Sequence, residues 1–114
     1  MAVVTDRRHN LGSLERVPLD EGREFMVGKV AVAVFRTRDG GVYAMQSRCT
    51  HKAGPLADGL VGNGKVVCPL HAYAFKLTTG EPIASDCKAL KTYPVVVDGD
   101  GDMWLSLDTV QRAG

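Results

Sequence analysis

Apolar residues along this chain fall in short runs, and most of the runs alternate with polar or small residues. Val30 to Phe35 reads Val-Ala-Val-Ala-Val-Phe, β-branched on alternate positions, which predicts a strand. Asp39-Gly40 is a favoured hairpin turn, and Val42 to Met45 predicts the return strand. Val66-Val67, Ala74 to Leu77, Tyr93 to Val97 and Met103 to Leu107 predict further short strands. Gly62-Asn63-Gly64, Thr79-Gly80 and Asp98-Gly99-Asp100-Gly101 punctuate them as turns. No segment keeps a period of 3.6 over three turns. The pattern predicts an all-β domain of about eight to ten short strands, a sandwich or small barrel.

Composition narrows this reading. The 114 residues suit one domain with one core, 45% of them are hydrophobic, and 13 glycines with five prolines suit many turns. Fourteen Lys and Arg against 13 Asp and Glu leave a net charge of +1, without the basic excess expected of a nucleic-acid binder. Three cysteines cannot all pair within the chain, and a disulfide scaffold would carry a denser, even set. No apolar run is long enough to span a membrane. Arg7-Arg8 is followed by mixed residues rather than the apolar stretch of an export signal. The expectation is a cytoplasmic protein in a reducing compartment. Residues 1–12 are expected to form an N-terminal tail, 13–108 the domain, and 109–114 a C-terminal tail.

The stretch from Gln46 to Pro69 is rich in Cys, His, Gly and Pro and is framed by strands, which marks it as functional loop. Cys49-Thr50-His51 is followed, after sixteen residues, by Cys68-Pro69-Leu70-His71. Cys-x-His and Cys-x-x-His are each short enough for both side chains of a pair to reach one metal centre. The gap between them lets the two loops be tips of neighbouring hairpins. Thiolates are soft donors and imidazoles borderline, so two of each suit zinc or an iron–sulfur cluster and disfavour magnesium or calcium. Zinc fingers usually set both Cys in one short pair and both His in another, whereas here each pair is mixed. In a Rieske centre one iron takes two Cys and the other two His, which the mixed pairs match better. A structural zinc-binding module remains the alternative.

On these residues the chain resembles the Rieske family, whose paired pattern is Cys-x-His and, about fifteen to seventeen residues on, Cys-x-x-His. The matching runs are CTHKAGPLADG and VVCPLHAYAF, with LTTGEP and LKTYPVVV downstream. The resemblance implies a small cluster-binding subdomain, about 46–76, inserted into a larger antiparallel β scaffold. It implies that Cys49 and Cys68 hold the inner iron, and His51 and His71 the outer one at the surface. It implies a one-electron carrier with a [2Fe–2S] cluster; no catalytic residue is assigned.

The departures carry information too. Rieske proteins of respiratory complexes have an extra cysteine in each loop, joined as a disulfide. Gly54 and Leu70 stand at those positions, so no such bond can form. Where those proteins place Ser and Tyr hydroxyls near the cluster, this chain has Tyr73 and Phe75. Fewer donors stabilise the reduced cluster less, so a potential near the low end of the Rieske range, about −150 mV, is expected. The run GGVYAMQSRCTHKAGPLADGLV resembles the small subunit of NAD(P)H-dependent nitrite reductase. The run Cys87 to Pro94 equally suits the ferredoxin of multicomponent aromatic-ring dioxygenases; on the motifs the nitrite reductase small subunit is the expectation, with the dioxygenase ferredoxin as the alternative. The first resemblance implies a sirohaem large subunit as partner, the second a non-haem iron oxygenase; either implies a flavin-bearing reductase as donor.

Other residues receive plainer readings. Cys87 is expected as a small buried hydrophobe, His9 as a solvated tail residue, and Trp104 as a core or half-buried strand residue. Asp98 to Asp102 begins like a calcium loop but lacks Gly at the sixth position and Glu at the twelfth, so a hairpin turn is expected. Gly54, Pro55 and Pro69 are expected to shape the ligand loops. Arg48 and Lys52 flank the first ligands and are either ordinary surface charge or a basic rim for an acidic partner.

Overall fold

The computed structural model describes residues 8–48, 54–69, 73–85 and 87–107. The described residues form eleven short strands and two single-turn 3-10 helices, Leu14–Arg16 and Leu56–Asp58. The strands are β1 (Arg8–Ser13), β2 (Glu21–Val27), β3 (Val30–Arg36), β4 (Val42–Gln46), β5 (Leu60–Gly62), β6 (Lys65–Val67), β7 (Ala74–Lys76), β8 (Pro82–Ile83), β9 (Thr92–Tyr93), β10 (Val95–Val97) and β11 (Asp102–Ser106). They make three antiparallel sheets, ordered β1-β11-β10, β2-β3-β4-β9 and β5-β6-β7-β8. The all-β expectation holds, and no helix among the described residues is long and apolar enough to cross a membrane.

The β3 run explains the layering. Its side chains alternate between two faces, yet Val32, Ala33, Val34 and Phe35 are all buried. Such a strand must be covered on both sides. Val32 and Val34, with Ala44 of β4, pack against Leu11, Met103 and Leu105 of the first sheet. Ala33 and Phe35, with Met45 of β4, pack against Val66, Cys68 and Phe75 of the third sheet and Leu56 of the second 3-10 turn. The middle sheet is therefore shared between two cores. The third sheet, β5 to β8, is the small inserted unit.

Some strand bounds differ from the expectations for identifiable reasons. Tyr93 to Val97 is two strands, because Pro94 has no N–H for the ladder. At that proline the chain leaves the middle sheet, where Tyr93 pairs with Ala44, for the first sheet, where Val95 pairs with Leu105. β2 carries Glu21, Arg23 and Glu24 and shows no clean alternation. It is an edge strand, where exposed charge is ordinary. Residues 8–12, read as tail, lie in β1, and His9 stands exposed opposite Leu105. Trp104 is a half-buried residue of β11, as expected. Asp98 to Gly101 is a hairpin turn, with the Gly101 N–H bonded to the Asp98 carbonyl at 3.0 Å.

Candidate metal centre

Of the four expected ligands, Cys68 is described; Cys49, His51 and His71 lie outside the described residues, as do Lys52 and Leu70. What the structure places is the framework from which both ligand loops leave.

The first loop leaves the end of β4. Its base is closed by a bridge between Arg48 and Pro55 and by the Leu56 N–H, which donates to the Ser47 carbonyl at 3.0 Å. Two side chains tie this base to the scaffold. Gln46 donates from Nε2 to the Arg48 carbonyl at 2.8 Å, while its Oε1 accepts the Lys91 N–H at 2.7 Å. The buried Ser47 hydroxyl donates to the Glu24 carboxylate on β2. Gly54 is buried and Pro55 forms the bridge, so both lie where loop-shaping residues would be needed.

The second loop leaves the end of β6. The Cys68 N–H donates to the Tyr73 carbonyl at 2.8 Å, which closes the loop into the β6–β7 hairpin. Val66 and Cys68 lie two residues apart and share one face. That face is the core side, where Cys68 is only 2% exposed. Phe75, opposite Val66, is fully buried on the same face and offers no hydroxyl. Pro69 is exposed.

The two loop bases meet because the exit from the first pairs with the entry to the second. Leu60 of β5 is opposite Val67 of β6, and Leu56 packs in the same core as Cys68. Gly59 makes this approach possible, since a Cβ there would lie 2.3 Å from the Val67 carbonyl oxygen. Its φ of −78° is ordinary, so space rather than backbone conformation requires glycine. Half-buried Cys87 packs against the core that holds Cys68, as a small hydrophobe would.

This framework fits an iron–sulfur group held between two loops. A thiol on the inner side is kept from water by carbon side chains, a shell that controls solvent access and potential. The donor set of two thiols and two imidazoles is carried on residues that follow directly from the pinned bases. Sequence reasoning names a candidate ligand set but passes over Gln46, Glu24, Ser47 and Gly59. Asp58-Gly59 reads in sequence as a turn, and no local signal marks the other three.

A family model of the Rieske [2Fe-2S] domain matches residues 8–94. The anthranilate 1,2-dioxygenase ferredoxin subunit of Burkholderia cepacia is 36% identical over 93 residues, 80% of this chain and 85% of its own length. Among solved structures, a chain in the complex of reduced oxygenase and oxidised ferredoxin of carbazole 1,9a-dioxygenase superposes with a TM-score of 0.81. It is 25% identical, over 95% of this chain and 100% of that one. A Mycobacterium tuberculosis protein assigned as an NADH-dependent nitrite reductase small subunit superposes with a TM-score of 0.82. It is 21% identical, over 90% and 96% of the two chains, a likeness of fold.

Proposed function

Because the chain belongs to the Rieske [2Fe–2S] family, an electron-transfer protein with that family's cluster, we propose that Cys49 and Cys68 hold the inner iron and His51 and His71 the outer. The cluster-binding part runs over about residues 46–76, within a domain that begins with β1 at Arg8 rather than at residue 13 and runs to about 108. The observation that carries this reading is the position of Cys68. It is buried, at the end of β6, beside the pinned base of the loop that bears Cys49 and His51.

When bound, the cluster supplies a one-electron store whose potential is raised by neutral imidazole ligands relative to an all-cysteine ferredoxin. The chain's own residues do the rest. Leu56, Val66 and Phe75 wall off the inner side from water. Gln46 and Ser47 fix the entry to the first loop, and the Cys68–Tyr73 bond fixes the second. None of these residues is asked to move a proton or attack a substrate.

For the partners, we propose a flavin-bearing reductase as donor and the non-haem iron oxygenase of an aromatic-ring dioxygenase as acceptor. Identity of 36% to a dioxygenase ferredoxin subunit over most of both chains supports this reading. The second reading is the small subunit of a sirohaem nitrite reductase, supported by the GGVYAMQSRCTHKAGPLADGLV run and the LTTGE that follows. A tagged pull-down from the native cell, with absorption spectra and peptide identification, decides between them. Weak association with a non-haem iron oxygenase or its reductase supports the first. A stable large partner carrying sirohaem and flavin overturns it in favour of the second.

A further inference from the structure

The charged side chains sort between the two ends of the middle sheet. At the end remote from the ligand loops, the arginines on and beside β2 and β3 are paired, while Lys65 on the third sheet is in no ion pair among the described residues. Arg36 meets Glu15 at 3.6 Å, Arg38 meets Asp20 at 2.6 Å and Arg23 meets Glu21 at 3.1 Å. On the third sheet Lys76 meets Glu81 at 3.8 Å, again away from the loops, since Lys76 pairs with Lys65 at the β6–β7 end opposite Cys68. The acidic Asp98–Asp102 turn belongs to this remote end as well. The Leu14 N–H donates to the Gly101 carbonyl at 2.8 Å, and Arg36 donates to the Val17 carbonyl at 3.2 Å.

The loop end differs. Lys29 sits in the turn between β2 and β3, Arg48 follows β4, and Lys91 precedes β9. The register places them together. Gln46 is opposite Val32, two residues from the start of β3. Gln46 also bonds both the Arg48 carbonyl and the Lys91 backbone. All three cations are exposed, and among the described residues no ion pair holds any of them. Glu24, which reaches towards this end, accepts the Ser47 hydroxyl. By sequence the undescribed stretches 49–53, 70–72 and 86 add Lys52 and Asp86, which leave the sum of charges unchanged.

We infer that this end is a basic docking face for an acidic surface on the electron-transfer partner. The inference rests on the proposed placement of the cluster between the two ligand loops. A cation matched by a neighbouring carboxylate contributes little field at a distance. Unmatched cations spread across the end of one sheet add their fields. They steer an acidic surface to the end from which the electron leaves, acting on encounter rate more than on final affinity. The face thus extends beyond Arg48, which precedes the first loop, to Lys29 and Lys91, from two other segments.

The test uses the cluster-loaded protein, reduced and mixed in stopped flow with ferricyanide or with a tripositive cobalt phenanthroline complex. At low ionic strength the anionic oxidant reacts faster than it does at physiological salt, by at least about threefold. The cationic oxidant shows the opposite trend. Lys29→Gln/Lys91→Gln, and the triple variant adding Arg48→Gln, flatten the salt dependence for ferricyanide. The charge-matched control Lys65→Gln/Lys76→Gln, at the remote end, leaves it in place. A ferricyanide rate that ignores salt, or equal slopes in the two double variants, overturns the basic face while leaving the cluster reading intact. A protein that reacts with neither oxidant and gives no iron–sulfur signal overturns the cluster reading and this inference with it.

Discussion

The side-chain amide of Gln46 bridges two segments, donating to the Arg48 carbonyl at 2.8 Å and accepting the Lys91 N–H at 2.7 Å. Arg48 is the residue before the first expected ligand, so this amide couples the entry of the ligand loop to the strand register of the scaffold. In Gln46→Leu both backbone partners lose their bonds, which costs about 0.5–1 kcal/mol because water reaches these exposed groups. The cluster is then lost faster to an iron chelator. Gln46→Glu keeps the acceptor for Lys91 but sets a carboxylate against the Arg48 carbonyl, so it bleaches faster than wild type too. Bleaching of the visible absorption measures this. A Gln46→Leu protein that bleaches at the wild-type rate would remove Gln46 from the support of the loop.

Gly59 and Gly62 make a matched pair. A Cβ on Gly59 meets the Val67 carbonyl at 2.3 Å, whereas a Cβ on Gly62 meets nothing within 4 Å. Gly59→Ala forces backbone apart where the two ligand loops are joined, and a destabilisation of about 1–3 kcal/mol is expected. Gly62→Ala, three residues away, is expected to fall within about 0.5 kcal/mol of wild type. Urea unfolding midpoints of the two variants compare them directly, and equal midpoints would contradict the close approach.

Among the described residues, Asp98 is one of two carboxylates at the remote end, with Asp39, that hydrogen bonds hold below the ordinary value. The Trp104 indole N–H donates to Asp98 at 2.8 Å, and the N–H groups of Asp102 and Asp100 add to it. These bonds, the indole first, hold the Asp98 carboxyl below its ordinary value. A depressed carboxylate stabilises the fold above its unfolded value and loses that contribution as pH falls through the folded value. Asp98→Asn should therefore lower stability at neutral pH and flatten its fall on acidification below about pH 4. Trp104 is the single tryptophan, so its fluorescence follows unfolding at each pH. An unchanged acid profile in the variant would count against the bond.

The potential should lie low in the Rieske range, about −150 mV. Phe75 is buried with no hydroxyl to give, at the position where higher-potential relatives of the respiratory type carry a donor. Redox titration followed by visible absorption checks this, and a value clearly above zero contradicts it.

How far the sequence could be read depended on where each signal was local. The β3 run announced a strand, and burial on both of its faces was implicit in its unbroken apolar character. Tyr93 to Val97 reads as one strand, but Pro94 within it cannot donate to a ladder, and two strands exist there. β2 was hidden because an edge strand tolerates charge, and Glu21, Arg23 and Glu24 erased its alternation. The candidate ligands stand out because Cys and His are rare and their spacing is short. Gln46 and Gly59 were not, because their roles depend on partners 45 residues away for Gln46–Lys91 and on another strand's carbonyl for Gly59. Both are long-range relationships that a local pattern does not encode.

The most direct measurement is electron paramagnetic resonance of the purified, dithionite-reduced protein, with iron, sulfide and zinc quantified on the same sample. The expected result is a red-brown protein with about two iron and two labile sulfides per chain and a Rieske-type signal, absent in Cys68→Ala. A colourless, redox-silent protein holding about one zinc per chain, lost in the same variant, would contradict the [2Fe–2S] centre and leave the structural zinc module in its place.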